Sequence, residues 1–176
     1  QGRSELARKA FRDAYKFADA AQDYLAAAYA LHSEARIVLA VQQAAHAKML
    51  GENGLAYIER YLEATAQPDP IYSSLQSGLY QLLARCEFKE GRVEVALEFA
   101  QKALERAQRR NSSLEIGNTY CVFAELASQP SLGLNIDDSY TKALRYHQMA
   151  GAEVEFAETQ YMYGKSLYER RRNVEA

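Results

Sequence analysis

Three histidines, His32, His46 and His147, and two cysteines, Cys86 and Cys121, are the residues through which this 176-residue chain could bind a metal or carry a nucleophile. Two ligands on one helix must stand about one turn apart to reach the same ion. No histidine here has a second His or Cys at that offset, so each reads as a packed or solvated side chain and no metal site is expected. A thiol becomes reactive beside an electropositive partner. Cys86 follows Arg85 and Cys121 follows Tyr120 with no histidine base nearby in sequence, so both read as small apolar filler. A P-loop, a dinucleotide fingerprint, a nucleophile elbow and a purposeful carboxylate cluster are all missing. The expectation is a protein that is not an enzyme, with no catalytic residue and no cofactor.

Binding chemistry is better represented. Thirteen tyrosines occur in a chain without tryptophan, and tyrosine presents an apolar ring with a polar tip, which suits it to anchoring a bound segment. Tyr161 and Tyr168 are two such candidates. Arg85, Lys89 and Lys165 would suit a carboxylate or an acidic peptide. A few charges on a helix are more often simply a solvated face. The net charge of −2, with both signs interspersed, lacks the basic footprint of a nucleic-acid binder. Two distant cysteines fit a reducing, cytoplasmic setting rather than a disulfide framework. No run of about 18 apolar residues and no leader-type apolar segment suggests a membrane partner.

The elements that must position these residues are helices. Three prolines and nine glycines punctuate a chain dominated by good helix formers, and no window alternates apolar and polar residues as a strand would. A ladder of small residues, Ala44, Ala84, Ala124 and Gly164, climbs in steps of 40 residues. Gly51 and Gly91 follow it by seven, Ala56, Ala96 and Ala176 by twelve, and Tyr80 pairs with Tyr120, Ala103 with Ala143, Leu104 with Leu144. A period of this size signals stacked helix pairs. The clearest unit has Tyr80, Leu83, Ala84 and Phe88 on one helix, a turn at Gly91, and Ala96, Ala100 and Ala103 on the next. Ala84 and Ala96 lack bulk and let the two axes approach to roughly 8–10 Å. Gly91 supplies a left-handed residue at the turn without Cβ strain.

That unit resembles the tetratricopeptide repeat, which shares the aromatic, the Leu-small pair, the turn glycine and three small residues. The frame from Gly117 keeps Tyr120, Phe123, Ala124, Tyr140, Ala143 and Leu144 but replaces the turn glycine by the loop 128–135. The frame from Ala157 keeps Tyr163, Gly164, Leu167 and Tyr168, with Arg171 at the turn position, and the frame from Ile37 keeps Ala44, Gly51 and Ala56. The 40-residue period is similar to the longer-helix variant found in cell-polarity adaptors and in helical arms of bacterial regulators.

The resemblance implies an all-α, right-handed superhelical solenoid of antiparallel hairpins with first helices inside. It also implies a concave groove lined by Gln81, Arg85, Phe88 and Lys89, then by Asn118, Cys121, Val122 and Glu125, then by Tyr161, Lys165 and Tyr168. The groove does not reproduce the Lys and Asn set of the chaperone-type carboxylate clamp.

The expected organisation is a helix or degenerate repeat over 1–36, repeats over 37–76, 77–116 and 117–156, and the first helix of a truncated repeat over 157–176. A unit that stops at its first helix is expected to belong to a longer array. Helices are expected at about 4–31, 35–50, 54–66, 71–90, 93–110, 112–128, 136–150 and 152–171, the first either continuous or broken near Asp23 or His32. Arg106, Arg109 and Arg110, and likewise Arg170, Arg171 and Arg172, are expected to oppose the dipoles of helix C-termini. The functional expectation is a scaffold that binds a protein or peptide in its groove. Its alternative is the sensor arm of a larger protein, switched by a bound peptide or small ligand. Self-association through the C-terminal repeat end is a third expectation.

Overall fold

A computed structural model describes residues 2–66 and 70–175, with side chains as far as Arg171. Ala176, the last rung of one sequence ladder, lies outside the described residues. Among the described residues there is no strand. Eight α-helices follow one another: α1 (Gly2–Ala20), α2 (Tyr24–Ala40), α3 (Ala44–Ala64), α4 (Ile71–Lys89), α5 (Val93–Arg109), α6 (Ser113–Leu126), α7 (Ile136–Ala150) and α8 (Glu153–Glu175). The loop before α7 holds a single 3-10 turn, Pro130–Leu132, and is largely exposed. No helix among the described residues is long and apolar enough to cross a membrane. The chain divides into two compact units, Gln1–Arg106 and Ala107–Ala176.

In the first unit, consecutive helices pack in order and α2 also touches α4. Its core brings together Leu31 and Val38 of α2, Leu50 and Ile58 of α3, and Leu75, Leu79 and Leu82 of α4. Close approach of α3 and α4 depends on two glycines. A Cβ on Gly51 would lie 2.8 Å from Leu82 Cδ2, and one on Gly54 would lie 2.9 Å from Leu79 Cδ2. The α4–α5 hairpin is tied by the Ser77 hydroxyl, which donates to the Ala103 carbonyl at 3.2 Å, and by Tyr80 stacking on Phe99 at 6.1 Å. Ala84, Ala96 and Ala103 are fully buried, as close helix packing requires.

The last five helices start and stop within about four residues of expectation, while the first three do not. The chain breaks at Asp23, which caps α2 by accepting from the Ala26 N–H at 3.0 Å. Ala44 opens α3 instead of sitting in mid-helix, and Gly51 is interior to α3 instead of marking a turn. The turns carry glutamine: Gln22 (φ 56°) and Gln42 (φ 65°) hold the left-handed conformation that Gly91 (φ 78°) holds after α4. Alignment on Gln42 and Gly91 places Ala35, Ala47 and Gly54 opposite Ala84, Ala96 and Ala103, and all six are buried. The small-residue pattern is therefore present in the first hairpin, at a step of 49 residues instead of 40. The difference is absorbed by a 21-residue α3 and the connection that follows it.

The second unit packs α6 on α7 and α7 on α8. Tyr120 stacks on Tyr146 at 5.8 Å and Tyr140 on Tyr163 at 5.0 Å, so these rings pack between helices, Tyr140 buried and the other three half-buried. Ser112 and Asn135 cap α6 and α7 by accepting the N–H groups of Glu115 and Asp138. Gly151 (φ 64°) turns the chain into α8.

Candidate interaction surface

Helix α8 is the best-defined candidate, and its position is fixed from the inside. Thr159 is buried and its hydroxyl lies 3.1 Å from His147 Nδ1, 2.7 Å from the Glu155 carbonyl and 3.3 Å from Cys121 Sγ. The other ring nitrogen, Nε2, lies 3.1 Å from Asn118 Oδ1. The Thr159 hydroxyl donates its one proton to the Glu155 carbonyl, so the neutral His147 ring is held between Thr159 and Asn118 with donor and acceptor roles set by its tautomer. Burial favours that neutral form and lowers the His147 pKa, although the nearby Glu155 opposes the shift. The ring also occupies the space a side chain at Gly117 would need, since a Cβ there would fall 2.3 Å from His147 Cδ2. At the far end of the helix, Arg170 binds both carboxylate oxygens of Asp137. That pair holds the Asp137 carboxyl below its usual range. Arg170 thus ties α8 to α7 well before the end of α8, where the sequence suggested a residue opposing the terminal dipole.

Asn118, His147, Thr159 and Cys121 form a chain that sequence spacing conceals, because the residues come from three helices. Its outward resemblance to a cysteine–histidine relay does not make a nucleophile. Cys121 is 7 % exposed and reaches the imidazole only through the Thr159 hydroxyl. The other thiol, Cys86, is fully buried and pushed up to about 11, by burial first and then by the charge of Glu87. Glu87 is itself buried. Burial would raise its pKa, but Arg92 and Lys48, the latter at 2.8 Å, hold the carboxyl below its ordinary value.

The opposite face of α8 is open. Val154, Tyr161, Leu167 and Tyr168 are 67 %, 73 %, 45 % and 64 % exposed. Ala157 and Gly164 lie exposed between them. Among the described residues, nothing beyond the adjoining backbone of α8 comes within 4 Å of the place a Gly164 Cβ would occupy. Residues 154, 157, 161, 164 and 168 are spaced alternately by three and four, so they form one stripe along the helix. Contiguous exposed apolar surface of this kind is characteristic of contact sites.

The groove residues expected from the sequence separate into three groups. Tyr161, Lys165 and Tyr168 stand together on the exposed side of α8. Arg85 and Phe88 are half-buried near the end of α4, and Lys89 is exposed with its ammonium donating to Gln42 Oε1 at 2.9 Å. Gln81, Cys121 and Val122 are buried, Glu125 is half-buried, and the amide oxygen of half-buried Asn118 is held by His147. Gln81, Cys121 and Val122 thus stand buried in place of the open surface foreseen for them, and half-buried Asn118 is engaged by His147. Gln81 and Cys121 hold the frame position of Tyr161, but both are buried. No protein-family model matches the chain, and no curated protein matches it.

Proposed function

We propose that the protein is a non-catalytic interaction scaffold, an array of tetratricopeptide-type hairpins wound as a right-handed superhelix, that takes a partner segment against the outward face of α8. Small residues at the closest approach of paired helices and the left-handed Gly91 turn support the repeat reading. The observation that carries the function is the α8 stripe. Tyr161 is 73 % exposed, whereas its frame equivalents Gln81 and Cys121 are 8 % and 7 % exposed. Two large aromatic anchors flanking a notch at Gly164 suit the side chains of a docked helix or extended segment. The free, buried cysteines fit a chain working in a reducing compartment such as the cytoplasm.

The test is affinity capture from a lysate with the parent chain and with a Tyr161→Ser, Tyr168→Ser double variant, circular dichroism serving as the folding control. Capture by the parent that is lost in a helical variant supports this surface. Equal capture by both chains overturns it.

A further inference from the structure

We propose that the outward face of α8 pairs with the same face of a second copy, antiparallel, across a twofold axis near residues 162 and 163. This rests on the reading of α8 as a docking surface and names its partner. The first reason is steric self-complementarity. With the axis at that point, Tyr161 of each copy meets the Gly164 notch of the other, and Tyr168 meets Ala157. Each large side chain thereby falls on a small one. Any residue at 164 would sit at the contact, and glycine leaves the deepest recess there.

The second reason is charge. Exposed Glu153 and Glu158 lie on the N-terminal half of α8, and exposed Lys165 and Arg171 lie on its C-terminal half. In the antiparallel pair, Glu158 of each copy flanks the seam beside Lys165 of the other, twice per dimer. A parallel pair would instead bring Glu153 beside Glu158 of its partner, like against like. Flanking charges of this kind choose the orientation of paired helices. Lys165 lies 3.8 Å from Glu169 on its own exposed face, a surface pairing weak enough to yield to an intermolecular one. A twofold contact is also the commonest closed arrangement for identical chains. A single helix pair buries less than a standard interface, so a weak dimer follows, with a dissociation constant in the micromolar range or above.

Sedimentation velocity of the 176-residue chain between about 1 µM and about 1 mM tests this, with circular dichroism on every variant. The expected result is a reversible monomer–dimer equilibrium, weakened at least about tenfold in the Tyr161→Ser, Tyr168→Ser variant. Glu158→Lys and Lys165→Glu should each weaken association by roughly threefold to tenfold. Their equimolar mixture should recover it, because both seam contacts in the mixed dimer then join opposite charges. A chain that is monomeric at every concentration overturns the proposal, as does a mixture that associates no better than either variant alone. Monomeric behaviour combined with tyrosine-dependent capture of another protein overturns self-pairing while leaving the interaction reading in place. Monomeric behaviour without such capture overturns both.

Discussion

Helices α4 and α8 each open a helix pair in the expected frame, and their corresponding residues have opposite fates. On α4, Ser77, Gln81 and Ala84 are all buried, with Ser77 bonded to the backbone of α5. On α8, Ala157, Tyr161 and Gly164 are all exposed. Small residues on α4 allow a second helix to settle against it, and small residues on α8 are present with no helix described against them. The same spacing of residue types therefore means packing in one place and an available surface in the other. What distinguishes them is the cover, and the cover cannot be read from the helix itself.

The comparison breaks most sharply at the core of the covered helix. Leu83 is fully buried and a Cβ on Gly51 would touch it at 3.1 Å, so Leu83→Ala should cost about 2–5 kcal/mol in urea unfolding. Removing Leu167 from the open side of α8 should cost under about 1 kcal/mol by the same measurement, as expected for a surface position. A similar cost for both would show that α8 is covered after all.

Two histidines sharpen the comparison between the units. His32 lies on Gly78 in the first unit as His147 lies on Gly117 in the second. Burial, with help from the charge of Arg36, lowers the His32 pKa to about 4. The folded state therefore favours neutral His32, while the unfolded chain takes up a proton near its ordinary value of 6.5. Stability is fully present above about pH 6.5 and should be lost as pH falls toward 4, by about 2–3 kcal/mol. His147 contributes in the same direction. Unfolding titrations at a series of pH values should show this slope reduced in His32→Gln. An unchanged slope would place the response elsewhere.

Glycine substitutions give a smaller and opposite pair of effects. Gly117→Ala puts a Cβ 2.3 Å from His147 and should destabilise by about 1–3 kcal/mol through overpacking. Gly164→Ala meets nothing and sits inside a helix, so it should stabilise the monomer by up to about 1 kcal/mol. Melting curves of the two variants at low concentration check both signs.

Much of this architecture is legible in residue types. The α4–α5 hairpin announces itself through Tyr80, Ala84, Gly91 and Ala96 because each residue has one steric task that few others perform. The N-terminal helices hide because glutamine, at Gln22 and Gln42, occupies the left-handed turns that glycine usually marks. Gly51 and Gly54 compound the difficulty, since they serve close helix approach and look like turn residues. At the candidate site, the exposure of Tyr161 and Tyr168 agrees with their amphipathic character. The burial of Gln81 and the capture of Asn118 by His147 depend on neighbours far away in sequence, and no local pattern carries that information.

The central claim, that the outward face of α8 is an open docking surface, is tested most directly by hydroxyl-radical footprinting at low and at high protein concentration. Tyr161, Leu167 and Tyr168 should be oxidised readily in dilute solution, Tyr57 and Tyr140 should be protected, and the α8 residues should become protected as concentration rises. Protection of Tyr161 and Tyr168 in the dilute monomer would contradict the open face. Equal oxidation at both concentrations would contradict its pairing with a second copy.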